Sequence, residues 1–382
     1  MNGKPLPRSL IPIYGITFFG ILAYTILIPL LPFVARRFGA SDATAGTLLT
    51  TTALFATLSS PLWGGLSDRF GRKRALIGSQ LLSFAGYIVL ALAPDIALLF
   101  FSRVVEGLGG GNVGVAQSYI SDVTDEEQRP RAFAYSSAAF GAGFIVGPIL
   151  SGSLVHFGYA VPFFVAAAVQ LLNAILTLTL LPESHGSAPA AHGWRELASV
   201  FGMRALRSLL ARQFLFIFAF TYLFSTFSLY ISHVLGGGPE LSSLLLGVAG
   251  GTGGLMMIFG VGPLVARFGQ NRVTTAAFLA GALSYASVAL AHTLLAVGAV
   301  LVFWALSGSV LRPVLSAQIS EEAPEDERGL VLGFSDALNN LAMIVTPLLG
   351  AAIVGFNAAL SGVLPALALA GGFALGLRDR RR

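Results

Sequence analysis

Cysteine is absent from the sequence, and charged residues are scarce. None of the 382 residues is cysteine, which excludes disulfide bonds, thiolate metal sites and cysteine nucleophiles. Only 11% of the residues are charged, whereas a soluble domain carries about 25%. Hydrophobic residues make up 55%. A chain this apolar cannot cover its surface with polar groups in water, so the expected solvent is lipid.

Signatures of catalysis and of cofactor binding are also missing. The sequence has no metal-ligand spacing on one helix, no phosphate loop and no nucleophile triad. His156, His233 and His292 each stand alone near a predicted helix end. We therefore expect no enzyme activity, no metal and no cofactor. Without an ATP site, the energy for any transport must come from an ion gradient or from the gradient of the substrate.

Long apolar runs dominate what the sequence does contain. Runs of about 20 residues match helices that cross a hydrocarbon core, whereas barrel strands would alternate in short segments. Twelve spans are predicted, at 10–34, 43–66, 75–93, 96–119, 132–155, 160–181, 213–235, 242–265, 273–291, 294–316, 330–352 and 356–377. The predicted fold is an all-α membrane protein with twelve transmembrane helices.

The lysines and arginines predict the orientation of these spans. With both termini on one side, all of the 23 positive residues except Arg36, Arg37 and Arg103 fall on that side, Arg312 included. This asymmetry marks the cytoplasmic face of the inner cell membrane. The net charge of +5 is then explained by topology, and we expect no nucleic-acid partner.

Three stretches recur at a nearly constant displacement. Gly64–Ala75 aligns with Gly262–Val273 at a shift of 198, while Ile120–Asp122 and Ile145–Pro148 recur at a shift of 199. The repeat predicts two six-helix halves, 1–182 and 213–382. Such halves place a transport site between them near the midplane.

The segment 183–212 is the predicted cytoplasmic linker between the halves. Apolar residues recur in it at helical spacing: Trp194, Leu197, Ala198, Phe201, Ala205 and Leu209. This pattern fits either an amphipathic helix lying on the inner leaflet or a plain solvated helix.

Three motifs in the first half resemble those of the major facilitator superfamily. Gly64–Arg74 is similar to its motif A, G-x-L-x-D-R-x-G-R-K/R, and Arg103–Gly111 to motif B, with Glu106 where Gln is usual. Gly143–Gly152 is similar to motif C, which marks exporters and proton antiporters of the family. The resemblance implies two pseudo-symmetric bundles, alternating access, and a place in the twelve-span drug:proton antiporter-like group, where Leu181–Ser184 is also common.

The motif A resemblance implies a cytoplasmic gate in the first half. Its members here are Asp68, Arg69, Gly71, Arg72 and Asp122, with Arg72 paired to Asp122 and Asp68 facing a helix of the opposite half. The alternative is that the arginines only set topology. The second half has Ala266 at the position of Asp68, so the corresponding gate contact in that half must be weaker or different.

Two carboxylates fall inside predicted spans, Glu106 and Asp336. An ionised side chain at mid-bilayer costs at least about 2.5–3.5 kcal/mol, so such residues are usually functional. Arg103 lies three residues before Glu106, on the same helix face. Proton coupling requires an acid that can bind and release a proton, and the neighbouring Arg103 changes the proton affinity of Glu106. The alternative is that the two residues form a structural ion pair with no role in transport.

Many proton antiporters of the family carry an acid in span one, which has no carboxylate here. Coupling must then rest on Glu106 or Asp336, and a facilitator without coupling remains the other reading. Asp336 lies near the cytoplasmic end of its span, where a helix N-terminal acid or a loop partner is the alternative to a proton relay.

Aromatic, methionine and amide residues are candidates for the substrate pocket. They are Tyr24, Asn112, Tyr222, Phe227, Tyr230, Met256, Trp304, Asn339 and Asn340. Aromatic and Met side chains line adaptable apolar pockets, but they also serve as ordinary packing. In motif C, Gly143, Gly147, Pro148 and Gly152 are expected to bend span five.

These features together predict a monomeric transporter in the lipid bilayer that exports lipophilic or cationic organic compounds in exchange for protons. One alternative is an exporter or facilitator of a sugar, an amino acid or another metabolite. Another is a membrane receptor or scaffold without transport activity.

Overall fold

The computed structural model describes residues 6–110, 112–125, 127–184, 200–324 and 328–379. These residues form helices joined by short turns, and no strand occurs among them. Eleven helical stretches in the described ranges are long and apolar enough to cross a membrane. The helix Asp42–Phe70 is long enough but falls outside this set, because threonine and serine are frequent in it. The predicted all-α membrane fold is confirmed.

The chain divides into two compact units, Met1–Ala188 and Pro189–Arg382. The helices of the first unit are α1 (Leu10–Leu27), α2 (Leu31–Arg37), α3 (Asp42–Phe70), α4 (Arg72–Leu92), α5 (Ile96–Leu108), α6 (Asn112–Val123), α7 (Arg129–Leu154) and α8 (Ala160–Leu180). Within this unit α1 packs on α7 and α8, α4 packs on α8 and α5, and α5 packs on α3.

Two predicted spans of the first unit are each built from two helices. Span one breaks between α1 and α2, where Pro29 lacks an amide hydrogen and Pro32 occupies the first turn of α2. Span four breaks at Gly109–Gly110, between α5 and α6, because glycine costs about 1 kcal/mol relative to alanine in a helix interior. The second break comes directly after Glu106, so the candidate acid lies in the last turn of α5.

The second unit contains helices α9 (Arg204–Leu235), α10 (Pro239–Leu255), α11 (Val261–Phe268), α12 (Gln270–Ala286), α13 (Leu294–Glu322), α14 (Arg328–Phe356) and α15 (Val363–Asp379). A π-helical turn, Met256–Gly260, joins α10 to α11. In this unit α9 packs on α14 and α15, and α12 packs on α13 and α15.

The helix that contains predicted span seven begins earlier than expected. It starts at Arg204 rather than at 213, so the end of the predicted linker is part of α9. Trp194, Leu197 and Ala198, on which the amphipathic helix depends, lie outside the described residues.

Candidate functional site

Glu106 lies in a polar site inside the first unit, which we call the Glu106 site: Tyr24, Thr52, Tyr87, Arg103 and Glu106. Glu106 is 5% exposed and Arg103 is 1% exposed. Arg103 Nη1 lies 3.8 Å from Glu106 Oε2, and the Tyr87 hydroxyl donates to Glu106 Oε1 at 3.4 Å. Thr52 and Tyr24 lie close enough to interact with Glu106. The site draws its members from α1, α3, α4 and α5.

One oxygen of the Glu106 carboxylate is left without a close partner. Oε2 accepts no hydrogen bond from the residues that the structure describes, and Arg103 Nη2 donates none to them. The 3.8 Å ion pair is too long for a direct hydrogen bond. A carboxylate with a free oxygen beside a cation can take up a proton without losing an existing hydrogen bond.

Glycines let the neighbouring helices approach Glu106 closely. A Cβ on Gly86 of α4 would lie 2.8 Å from the Glu106 backbone nitrogen, and one on Gly107 would lie 2.7 Å from the Thr52 carbonyl oxygen. The Trp63 indole donates to the Leu108 carbonyl at 2.6 Å, which satisfies a carbonyl at the end of α5. Gly86 of α4 and Gly107 of motif B therefore allow α5 to pack closely between α3 and α4.

We expect Gly86→Ala to destabilise the first unit and to impair transport. The added methyl would meet the Glu106 backbone, and overpacking of this kind costs about 1–3 kcal/mol. Gly114→Ala in α6 is the matched control, because a Cβ there meets nothing within 4 Å. Thermal unfolding in detergent would compare the two variants. Equal midpoints would show that the α4–α5 contact tolerates a larger residue.

Arg72 organises a second polar group, the Arg72 cluster, formed by Ser67, Asp68, Arg72 and Asp122. Its Nε donates to Asp122 Oδ2 at 2.9 Å, and its Nη1 donates to Ser67 Oγ at 2.6 Å and to Asp68. The guanidinium is 2% exposed. The structure thus brings Asp68, Arg72 and Asp122 together, while Arg69 instead stacks over the ring of Phe70 at 5.1 Å.

The residues after α8 contact the Arg72 cluster, a role that the sequence analysis did not assign to them. The Lys73 amide donates to Glu183 Oε1 at 3.0 Å, and Ser184 Oγ donates to Asp122 Oδ2 at 3.4 Å. Gly71 precedes α4 with φ +97°, and a Cβ there would meet the Glu183 carboxylate. Because Gly71 has no side chain to cap α4, Glu183 supplies the negative charge that a helix N-terminus favours. The Leu181–Ser184 motif was the available signal.

The second unit contains an equivalent junction between two helices, but the side chains that contact each other there are different. Gly269, with φ +79°, separates α11 from α12, and Arg267 stacks over Phe268 at 5.3 Å. At the repeat positions of Arg72 and Asp122, Gln270 Nε2 donates to the Glu321 carboxylate at 3.2 and 3.3 Å. A neutral amide thus replaces the guanidinium, which makes the contact weaker.

Motif C lies on α7 against α1. Thr25 Oγ1 donates to the Gly143 carbonyl at 3.1 Å, and a Cβ on Gly147 would collide with the Thr25 hydroxyl. Pro148 lies inside α7, which continues through Gly152 to Leu154. These glycines allow the close α1–α7 contact.

The candidate pocket residues do not share one environment. In the first unit Tyr24 belongs to the Glu106 site, and the Asn112 amide lies near Gly20 of α1. In the second unit Phe227 and Tyr230 are core residues, and the Tyr230 hydroxyl donates to the carbonyls of Val288 and Ala291, each at 3.1 Å.

The other candidate pocket residues of the second unit lie in several different environments. Trp304 stacks on Phe220 at 5.1 Å, and Met256 belongs to the π-helical turn. The Tyr222 hydroxyl and Asn339 Oδ1 are buried and bond no described residue. Asn340, next to Asn339 in α14, is half-buried.

Asp336 has a cationic neighbour that the sequence analysis did not pair with it. Arg312 lies close enough to Asp336 to interact with its charge, and Asn339 hydrogen-bonds the Asp336 carboxylate. The charge count assigns Arg312 to the cytoplasmic side, and predicted span ten, 294–316, contains it. Because α13 continues to Glu322, Arg312 lies well inside a helix, and both charged groups are solvent-accessible.

Comparison with known proteins agrees with this helical arrangement. The family model of the Major Facilitator Superfamily matches residues 13–347, with a further match over 213–382. The chain belongs to this superfamily. Its members are membrane transporters, so the predictions of a transporter and of the family are confirmed.

Relatives of this transporter cover nearly its whole length. It is 31% identical to the class C tetracycline resistance protein of Escherichia coli over 360 residues, which are 92% of this chain and 91% of the relative. It is 29% identical to multidrug resistance protein 2 of Bacillus subtilis (strain 168) over 351 residues, 89% and 87% of the two chains.

Solved structures show the same fold. The human organic anion transporter MFSD10 (TETRAN) matches with a TM-score of 0.75 at 21% identity, covering 98% of this chain and all of that one. A peptide transporter, POT, in complex with sulfate matches with a TM-score of 0.79 at 16% identity, covering 98% and 95%. The predicted major facilitator fold is confirmed.

Proposed function

We propose that this transporter exports lipophilic or cationic organic compounds in exchange for protons, by alternating access. The observation that carries the proposal is the buried Glu106–Arg103 pair, whose oxygen and nitrogen are 3.8 Å apart. Burying an acid inside a membrane span is energetically costly, so such residues are usually functional. A proton that binds Glu106 leaves Arg103 as an unpaired cation, and release of that proton restores the pair. Proton binding therefore changes the net charge of the site by one.

The substrate class follows from the kind of side chain that the spans supply. Aromatic residues are concentrated on α9, where Phe216, Phe220 and Phe224 contact one another at i, i+4 spacing. Such surfaces accept apolar and cationic aromatic compounds. The names of the relatives, a tetracycline resistance protein and a multidrug resistance protein, support organic drugs as substrates.

The Arg72 cluster is the proposed cytoplasmic gate. Its ion pairs join α3, α4 and α6 at the end of the first unit where α4 begins. The excess of lysine and arginine on this side supports its assignment to the cytoplasm. We place both termini in the cytoplasm and the protein in the inner membrane, as a monomer.

A flux assay tests the proposed activity. The purified protein is reconstituted in proteoliposomes that contain a pH-sensitive dye, and a pH jump is applied with ethidium, tetraphenylphosphonium, tetracycline or a neutral drug outside. We expect at least one cation or drug to accumulate with the gradient and to move protons in the opposite direction. Equilibration of a compound across the membrane without proton movement would identify a facilitator, and no movement of any compound would contradict the proposed substrate class.

A further inference from the structure

Three buried amide side chains of the first unit have polar atoms without a hydrogen-bond partner among the described residues; we call them the buried amides. The other end of one of them is bonded, since Asn173 Nδ2 donates to the Ile16 carbonyl of α1 at 3.1 Å. Gln80 of α4 is 0% exposed, and neither Oε1 nor Nε2 bonds any residue that the structure describes. Gln170 Oε1 and Asn173 Oδ1 of α8 are likewise unpartnered within the described ranges. A buried polar group left unsatisfied costs about 1–3 kcal/mol. Such groups are normally satisfied by internal water.

The buried amides lie at one depth in one pair of helices. α4 packs along α8, and the Lys73–Glu183 hydrogen bond of 3.0 Å joins the start of α4 to the end of α8. With a helical rise of about 1.5 Å per residue, Gln80 lies about 12 Å from this end, Gln170 about 15 Å and Asn173 about 10 Å. Both helices therefore bring amides to the same level.

Most side chains beside the amides are small. Ala166, Ala167, Ala174 and Thr177 are the buried residues of α8 nearest to its amides, and Ser79 and Ser83 flank Gln80 on α4. A water molecule needs a small space and two to four polar partners. Two glutamines and an asparagine supply both donors and acceptors.

Gln80 also lies on the path between the two polar groups of the site. It is seven residues from Tyr87, which places both on one face of α4 two turns apart, and the Tyr87 hydroxyl donates to Glu106 at 3.4 Å. In the other direction α4 begins at Arg72. The interior of the first unit thus carries polar groups from Glu106 to the Arg72 cluster.

We propose that Gln80, together with Gln170 and Asn173, holds a chain of water molecules that conducts the proton between Glu106 and the Arg72 end of the first unit. The amides do not titrate. They orient the waters, and the proton passes from water to water until it binds the Glu106 carboxylate, or leaves it in the reverse direction. This inference rests on the proton coupling proposed above.

Gln80→Met tests the water chain, because methionine has the length of glutamine without a donor or acceptor. Radiolytic hydroxyl footprinting on the full-length protein labels side chains beside bound water. Tyr87 is 2% exposed, as is Tyr285 of the second unit, whose hydroxyl donates to the Ala219 carbonyl. We expect Tyr87 to be labelled faster than Tyr285 in the wild type, and Gln80→Met to remove about nine-tenths of this excess. Equal labelling of the two tyrosines would overturn the water chain.

Transport measurements on the same variant test proton conduction. In proteoliposomes we expect Gln80→Met to slow ethidium transport driven by a pH gradient about tenfold, while ethidium exchange at equal pH stays near wild type. The control is Gln213→Met, a buried glutamine of the second unit whose Nε2 donates to Ser335 at 2.7 Å. Unchanged driven transport, or an equal loss of both activities, would overturn conduction through Gln80. The footprinting result tests the water chain and does not depend on proton coupling. Failure of the proposed coupling would be recognised separately, by normal gradient-driven transport in the Glu106→Gln variant.

Discussion

Replacing Glu106 by glutamine is expected to abolish transport driven by a proton gradient. The substitution keeps the size of the side chain but removes the group that exchanges a proton, and it leaves Arg103 as an unpaired buried cation. Loss of a positioned acid–base group typically costs about 100-fold or more in rate. Exchange of substrate at equal pH needs no net proton movement, so we expect it to persist. The measurement is gradient-driven uptake against exchange in proteoliposomes.

A surface carboxylate provides the control for this variant. Glu127 lies exposed in the turn between α6 and α7, and Glu127→Gln should leave both activities near wild type. If Glu106→Gln transported normally under a gradient, the Glu106–Arg103 pair would be structural, and the coupling group would have to be sought at Asp336. Loss of exchange together with driven transport would instead indicate that Glu106 binds the substrate.

Removing Arg72 is expected to open and destabilise the end of the first unit. Arg72→Ala leaves the carboxylates of Asp68 and Asp122 without their shared cation, and both lie in direct contact with Arg72 in the wild type. Breaking a buried ion pair costs 3–5 kcal/mol; because the Asp68 side chain is 38% exposed, we expect about 2–3 kcal/mol here. Thermal unfolding should register this loss, and transport should fall with it.

The chain offers a matched control and a direct assay for the opening. Arg69 contacts the ring of its neighbour Phe70 at 5.1 Å and takes no part in the cluster, so Arg69→Ala should be nearly neutral. Because the protein has no cysteine, a single cysteine at Ser184 reports on accessibility without background. Faster thiol labelling in Arg72→Ala than in Arg69→Ala would support the gate. Equal rates, with equal unfolding midpoints, would contradict it.

Motifs predicted the neighbours of Arg72 better than composition did. Asp122 was assigned to Arg72 through the family resemblance. Asp68 was expected to face a helix of the opposite half, and its contact with Arg72, four residues away, was not predicted. Glu183 was missed as a cap because it lies 110 residues from Lys73 and nothing local in the sequence indicates that contact. The proximity of Arg312 to Asp336 was also missed, because the two residues lie on different helices and nothing local in the sequence pairs them.

Hydropathy and glycine placement determined the membrane helices and the two corners at Gly71 and Gly269 from the sequence alone. These are local properties, set by transfer of each segment to lipid and by the backbone freedom of a single residue. The tertiary structure alone decided which polar groups are partnered. The partners of Glu106 come from four helices, and only the packed structure shows which atoms of the buried amides have no partner among the described residues. Hydrogen-bond satisfaction in a bundle depends on residues far apart in the chain, which local sequence does not specify.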